Sequence, residues 1–148
     1  MSKSMSNNLY EQDFYAWANE QAALLRAGKL DSADVENIAE EIESMGRSEK
    51  RELVNRLAVL LLHLLKWRYQ PGLRGNIWRG SIEEQRLRLD EHLKDNPSLK
   101  AQIGSAMVTA YRLASVQADR ETGLARATFP QDCPFTVDQV MADDFWPD

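Results

Sequence analysis

The sequence predicts an all-α protein, a single-domain helical bundle of about five main helices with a packed C-terminal strap and a short last helix. Three observations carry this. Residues 57–65 read Leu-Ala-Val-Leu-Leu-Leu-His-Leu-Leu, and only His63 interrupts their apolar surface. A helix apolar all round is either a bundle centre or a membrane span. Arg56 and Lys66 close the run far short of the roughly 20 apolar residues that a span needs, so it is the centre of a bundle. The segments on either side carry apolar residues at helical spacing. The joints between segments hold glycine, proline and capping residues.

The domain expected is 9–148, with 1–8 as a polar, disordered tail. In the first helix Tyr10, Phe14, Trp17, Gln21 and Leu24 recur on one face, and Gly28 stops it. Such an aromatic stripe reads as core. The second helix starts at Asp31 as N-cap, with Leu30 and Val35 placed as a hydrophobic staple. Val35, Ile38, Ala39, Ile42 and Met45 form its buried face, and Gly46 ends or bends it. At 100° per residue, Glu40 points away from that face, while Asp34 and Glu41 lie along one edge and Glu36 and Glu43 along the other. Five acids on one short helix cannot all be buried without partners, so most are solvated.

The central helix runs from about Ser48 to Tyr69 and ends in a turn holding Pro71, Gly72 and Gly75. The fourth helix, from Ile77 to Asp95, has a stripe of Trp78, Ile82, Leu89 and Leu93 with Arg86 inside it. Asn96 and Pro97 restart the chain as N-cap and first helical residue. The fifth helix then reaches Glu121, with Leu99, Ile103, Ala106, Met107, Ala110, Ala114 and Ala118 inward and Gly123 as its cap. Residues 129–135, Phe-Pro-Gln-Asp-Cys-Pro-Phe, are too rich in proline and aromatics for a loose end and should bury Phe129 or Phe135 against the bundle. Thr136 and Gln139 make a capping box, with Phe135 and Val140 as staple. Phe145 and Trp146 anchor the terminus.

The chain has 148 residues, 43% of them hydrophobic and 28% charged, which suits a globular core and excludes a disordered chain. No basic segment followed by an apolar run opens it, so no signal peptide is expected. Its single cysteine, Cys133, excludes an internal disulfide framework and fits a reducing cytoplasm. The net charge is −5, which argues against general nucleic-acid affinity. Residues 1–45 hold three basic and nine acidic side chains, residues 46–100 twelve and seven, and residues 101–148 three and seven. Acidic helices packed against a basic middle are the simplest consequence.

Several strings together resemble a known family. They are Tyr10-Glu11-Gln12-Asp13-Phe14, Glu40-Glu41-Ile42-Glu43-Ser44-Met45-Gly46 and Leu61-Leu62-His63-Leu64-Leu65-Lys66-Trp67. Gln85-Arg86, Asn96-Pro97-Ser98-Leu99, Glu121-Thr122-Gly123-Leu124 and Phe129-Pro130-x-x-Cys133-Pro134 complete the set. In this order they resemble the bacterial family called domain of unknown function 29, from Leu9 to Pro147. The resemblance implies an all-helical bacterial protein and brings no activity, cofactor or partner with it.

Candidate sites follow from residue type and spacing. Glu40, Glu41 and Glu43 with His63 offer oxygen and nitrogen ligands from adjacent helices, as helical di-iron bundles do. Those bundles use paired Glu-x-x-His motifs, which this chain lacks: Leu89 stands three before His92. A buried His63 hydrogen-bonded to another helix or to the tail is the plainer expectation. Arg68, Arg74 and Arg79, among Trp67, Tyr69 and Trp78, form a candidate phosphate or nucleic-acid surface, with internal ion pairs as the default. Arg86, inside an apolar arc, needs a partner for its guanidinium. Glu41 is the expected one, giving either a buried pair or a polar pocket of Glu41, His63 and Arg86. Asp132 beside Cys133 disfavours thiolate formation.

No catalytic set or cofactor motif is present. The expectation is a non-enzymatic module that binds protein, with a homo-oligomer among the options and no membrane contact. A metal- or ligand-dependent enzyme using the Glu41, His63 and Arg86 pocket, and a nucleic-acid binder, are the alternatives.

Overall fold

The computed structural model describes residues 9–148, so the tail expected over 1–8 lies outside the described residues. A helical turn at 9–12 precedes α1 (Phe14–Arg26). Three long helices follow, α2 (Val35–Tyr69), α3 (Asn76–Asp95) and α4 (Ile103–Thr122), and then the short α5 (Val137–Met141). The described residues contain no strand. They divide into two compact units, with a boundary between Ser48 and Glu49.

The second and third predicted helices are one. Residues 35–69 form an uninterrupted α-helix through Gly46, so four long helices replace the expected five. A glycine in a helix interior costs only about 1 kcal/mol against alanine, and Gly46 keeps an ordinary helical φ. The good helix formers around it outweigh that.

In the N-terminal unit, Asp13 caps α1 by accepting from the Ala16 amide. Gly28 closes it at φ +73°, its amide and that of Lys29 donating back to the carbonyls of Leu25 and Leu24. Asp34, not Asp31, then caps α2: its Oδ1 takes the Asn37 amide at 3.4 Å. The wheel of the α2 start is also corrected. Val35, Ile42 and Met45 are more than half exposed, as is Leu30, so no staple forms there. The interior of this unit is polar instead: Asp34, 3% exposed, accepts from the Trp17 indole (3.1 Å) and the Asn37 amide group (2.8 Å). Its own backbone amide donates to Gln21 Oε1 at 2.7 Å. A short-range carboxylate network thus takes the place of an aliphatic face.

The second unit holds the aliphatic core. Leu53, Leu57, Leu60, Leu61, Leu64 and Leu65 are fully buried, together with Ile82 and Leu89 of α3. Ala106, Ala110, Ala114 and Ala118 line the buried side of α4, joined by Tyr111. A 3-10 segment, Pro97–Gln102, leads into α4 in place of the predicted α-helical start, and Asn96 makes no side-chain cap. Gly123 ends α4 at φ +73°. The strap packs as expected: Phe129 and Phe135 are both buried, and the Thr136–Gln139 capping box opens α5. Trp146 lies against Trp67 with ring centroids 4.7 Å apart, and Phe145 against Phe135 at 5.7 Å.

Candidate functional site

Arg86 is the centre of the polar construction in the second unit. Ile82 and Leu89 place it on the inner side of α3, where it is 3% exposed. Its partner is not Glu41. Nε donates to the Val140 carbonyl at 2.8 Å, and Nη2 to the carbonyls of Phe145 (2.8 Å) and Gln139 (3.4 Å). The guanidinium also lies 5.6 Å from the Trp146 ring centre. A carboxylate is not required because the last carbonyls of the five-residue α5 and the bend after it have no helical donors of their own, and one planar fork serves several. Burial pulls its pKa down, which Asp143 and Asp144 oppose. A second arginine repeats the device: Arg74 donates to the Trp67 carbonyl (2.6 Å) and to that of Pro147 (3.3 Å). Two cations thus latch the last ten residues. A 660 Å³ pocket beside them is lined by Trp67, Arg79, Glu83, Arg86, Asp143 and Trp146.

Larger is a groove of about 1220 Å³ between α4 and the strap. Met107, Tyr111, Phe129 and Phe135 line it, with Val108 and Val116 toward solvent, the latter two 62% and 40% exposed. Arg112 and Arg126 stand at its edge. The Tyr111 hydroxyl donates to the Pro130 carbonyl at 2.6 Å and pins the strap. Cys133 also lines the groove, half-buried, its thiol donating to the Phe135 carbonyl at 3.4 Å. Burial pushes its pKa up, so the thiolate is scarce at neutral pH.

The residues singled out in the sequence find separate partners. Glu41 accepts a short hydrogen bond from the Tyr10 hydroxyl, which pushes the tyrosine up to about 12. Glu40 pairs with Arg47 at 2.9 Å on the exposed side of α2, and Glu43 is exposed. His63 is half-buried rather than buried, and it bonds within its own helix: Nδ1 donates to the Val59 carbonyl at 2.8 Å. Desolvation draws its pKa below the ordinary value, with Lys66 acting in the same direction. The carboxylate whose charge acts on His63 is Glu121, which Lys66 and Gln117 hold by short hydrogen bonds and depress below the usual carboxylate range. Of the candidate phosphate contacts, Arg74 is occupied by carbonyls, Arg68 lies over Tyr69 at 5.6 Å, and Arg79 bonds Asn76 Oδ1 at 3.3 Å. Lys66–Glu121 is the ion pair, among the described residues, that joins the basic middle to the acidic C-terminal segment. Other basic side chains of the middle pair along their own helix.

Sequence reasoning missed two residues. Asp34 was one of five similar acids, and only the fold shows it enclosed. His92 has no glutamate three residues before it in the sequence. It is 6% exposed, and its carboxylates come from α2: among the described residues, Glu49, Glu52 and His92 are the group whose ligand atoms all lie within 4.8 Å of one another. The pair Glu49 and Glu52, one turn apart, was the available signal.

A comparison with protein families matches residues 9–146 to Domain of unknown function DUF29. No curated protein and no solved structure matches the chain. No described helix is long and apolar enough to cross a membrane.

Proposed function

The chain belongs to the DUF29 family, and we propose that it acts without catalysis, as a module that holds an amphipathic helix of a partner protein. The observation that carries this reading is the groove between α4 and the strap. Its apolar lining continues outward into exposed Val108 and Val116, apolar surface beside a concavity of the kind that interaction sites present. Grooves of this type take a helix through apolar anchors at i, i+3 or i+4, and i+7. Arg112 at the edge favours acidic residues flanking those anchors, while Arg126 already pairs with Asp119 at 3.3 Å. The thiol in the groove is suppressed by burial, which supports binding over covalent chemistry.

The test is a selection from a displayed library of helical peptides against the purified protein. Enriched peptides should show apolar anchors at helical spacing with acidic flanks. Val108→Glu and Arg112→Glu should each weaken their binding by about tenfold or more while leaving the melting temperature near wild type. Enriched peptides that bind both variants as tightly as the wild type would refute the groove as the site.

A further inference from the structure

We infer that Glu49, Glu52 and His92 form a binding site for a divalent transition-metal ion of the zinc type. The inference rests on the geometry of these three side chains, whose ligand atoms all lie within 4.8 Å of one another. His92 Nε2 lies 2.9 Å from the backbone carbonyl oxygen of Glu49. A carbonyl only accepts, so Nε2 is the donor. The other ring nitrogen, Nδ1, faces two carboxylates: Glu52 Oε2 at 3.2 Å and Glu49 Oε2 at 3.6 Å. One imidazole nitrogen and two carboxylate oxygens thus converge from two helices in an arrangement that a cation can satisfy.

The spacing fits a metal. Two ligands about 2.0–2.2 Å from a tetrahedral ion stand roughly 3.4 Å apart, and the two nitrogen–oxygen distances straddle that value. One imidazole with two carboxylates is a donor set used for zinc and its neighbours, and three protein ligands leave a fourth position open. The surroundings are also those of a metal ligand. A ligating histidine typically gives its other N–H to a carbonyl or carboxylate, which holds the ring in place; here the Glu49 carbonyl does so. The ring is enclosed while the two carboxylates are about half exposed, with side-chain exposures of 50% for Glu49 and 45% for Glu52, so an ion has a way in. Two further donors touch the carboxylates: Arg56 Nε lies 3.1 Å from Glu52 Oε2, and Asn96 Nδ2 lies 3.5 Å from Glu49 Oε2. Arg56 shares the oxygen an ion would use and so weakens the site without closing it.

This site is independent of the groove. The probe is Zn²⁺ alone, titrated calorimetrically into chelator-stripped full-length protein. The expected result is one ion per chain, with affinity falling about tenfold or more in Glu49→Gln and in Glu52→Gln and unchanged in His63→Gln and Cys133→Ser. Both glutamate side chains are half exposed, so these variants should keep the wild-type melting curve without metal. Nitrogen-detected NMR of the wild type supplies a readout free of any mutation: zinc should shift His92 Nδ1 strongly while Nε2 stays protonated. Binding unaffected by both glutamine variants would place the ion elsewhere. No uptake would show that His92, Arg56 and Asn96 alone satisfy the carboxylates. Either result overturns the inference.

Discussion

Arg86→Ala isolates the C-terminal latch. Two of the three bonds made by this guanidinium are 2.8 Å long, to the Val140 and Phe145 carbonyls, and the third, to Gln139, is marginal at 3.4 Å. A hydrogen bond to a charged group contributes about 1.5–3 kcal/mol net, so the two good ones together give about 3–6 kcal/mol. Removing a buried cation also removes its desolvation cost. No carboxylate is left stranded either, unlike the about 3–5 kcal/mol loss when one member of a buried ion pair goes. The net expected loss is therefore about 2–4 kcal/mol. For a chain of this size each kcal/mol moves the melting temperature by about 2–4 °C, which amounts to roughly 5–15 °C. Arg88 is the internal control: its pair with Glu84 has both side chains more than half exposed, and Arg88→Ala should cost under about 0.5 kcal/mol. Thermal and urea unfolding followed by circular dichroism measure both variants. Amide exchange should show residues 137–147 opening first in Arg86→Ala. Equal, small effects of the two substitutions, with the tail still protected, would refute the latch.

Truncation before Phe129 removes two buried rings and Val140, at about 1.5–3 kcal/mol for each ring, and should lower the melting temperature markedly; an unchanged midpoint would contradict the packed strap. Asp34→Ala strips α2 of its N-cap and leaves the Trp17 N–H unpaired, for a loss of about 1–3 kcal/mol, read from urea unfolding. His63 has a folded pKa held below its ordinary value of about 6.5 by burial, so on acidification the unfolded chain takes up the proton first. Its contribution is complete above that pH and shrinks as the pH falls from there through the folded value. The urea midpoint of the wild type should drop more between pH 7.5 and 5.5 than that of His63→Gln, and parallel drops would sink the assignment. Gly123→Ala forces a Cβ into the left-handed region and should cost about 1–2 kcal/mol.

Much of the second unit is legible in the sequence because its signals are local or periodic. The leucine run around His63, the Ile82–Leu89 stripe, the alanines of α4 and the Thr136–Gln139 box each depend on residues within a few turns, where geometry is set by the helix itself. Gly123 is equally plain, since a positive φ suits glycine best. What the sequence could not decide is which of several equivalent polar groups meets which. Arg86 had to be satisfied, and its position in an apolar arc says so. That backbone carbonyls some 54–59 residues away take its Nε and Nη2 donors, in preference to a glutamate, depends on how the tail folds back. Likewise the spacing of five acids cannot single out Asp34, and Gly46 continues α2 because neighbouring propensity outweighs a local cost of about 1 kcal/mol. The meeting of His92 with Glu49 and Glu52 is of the same kind. Each lies on its helix as the sequence dictates, but the distance between a buried imidazole and two carboxylates 40 or more residues away is created only when the helices pack.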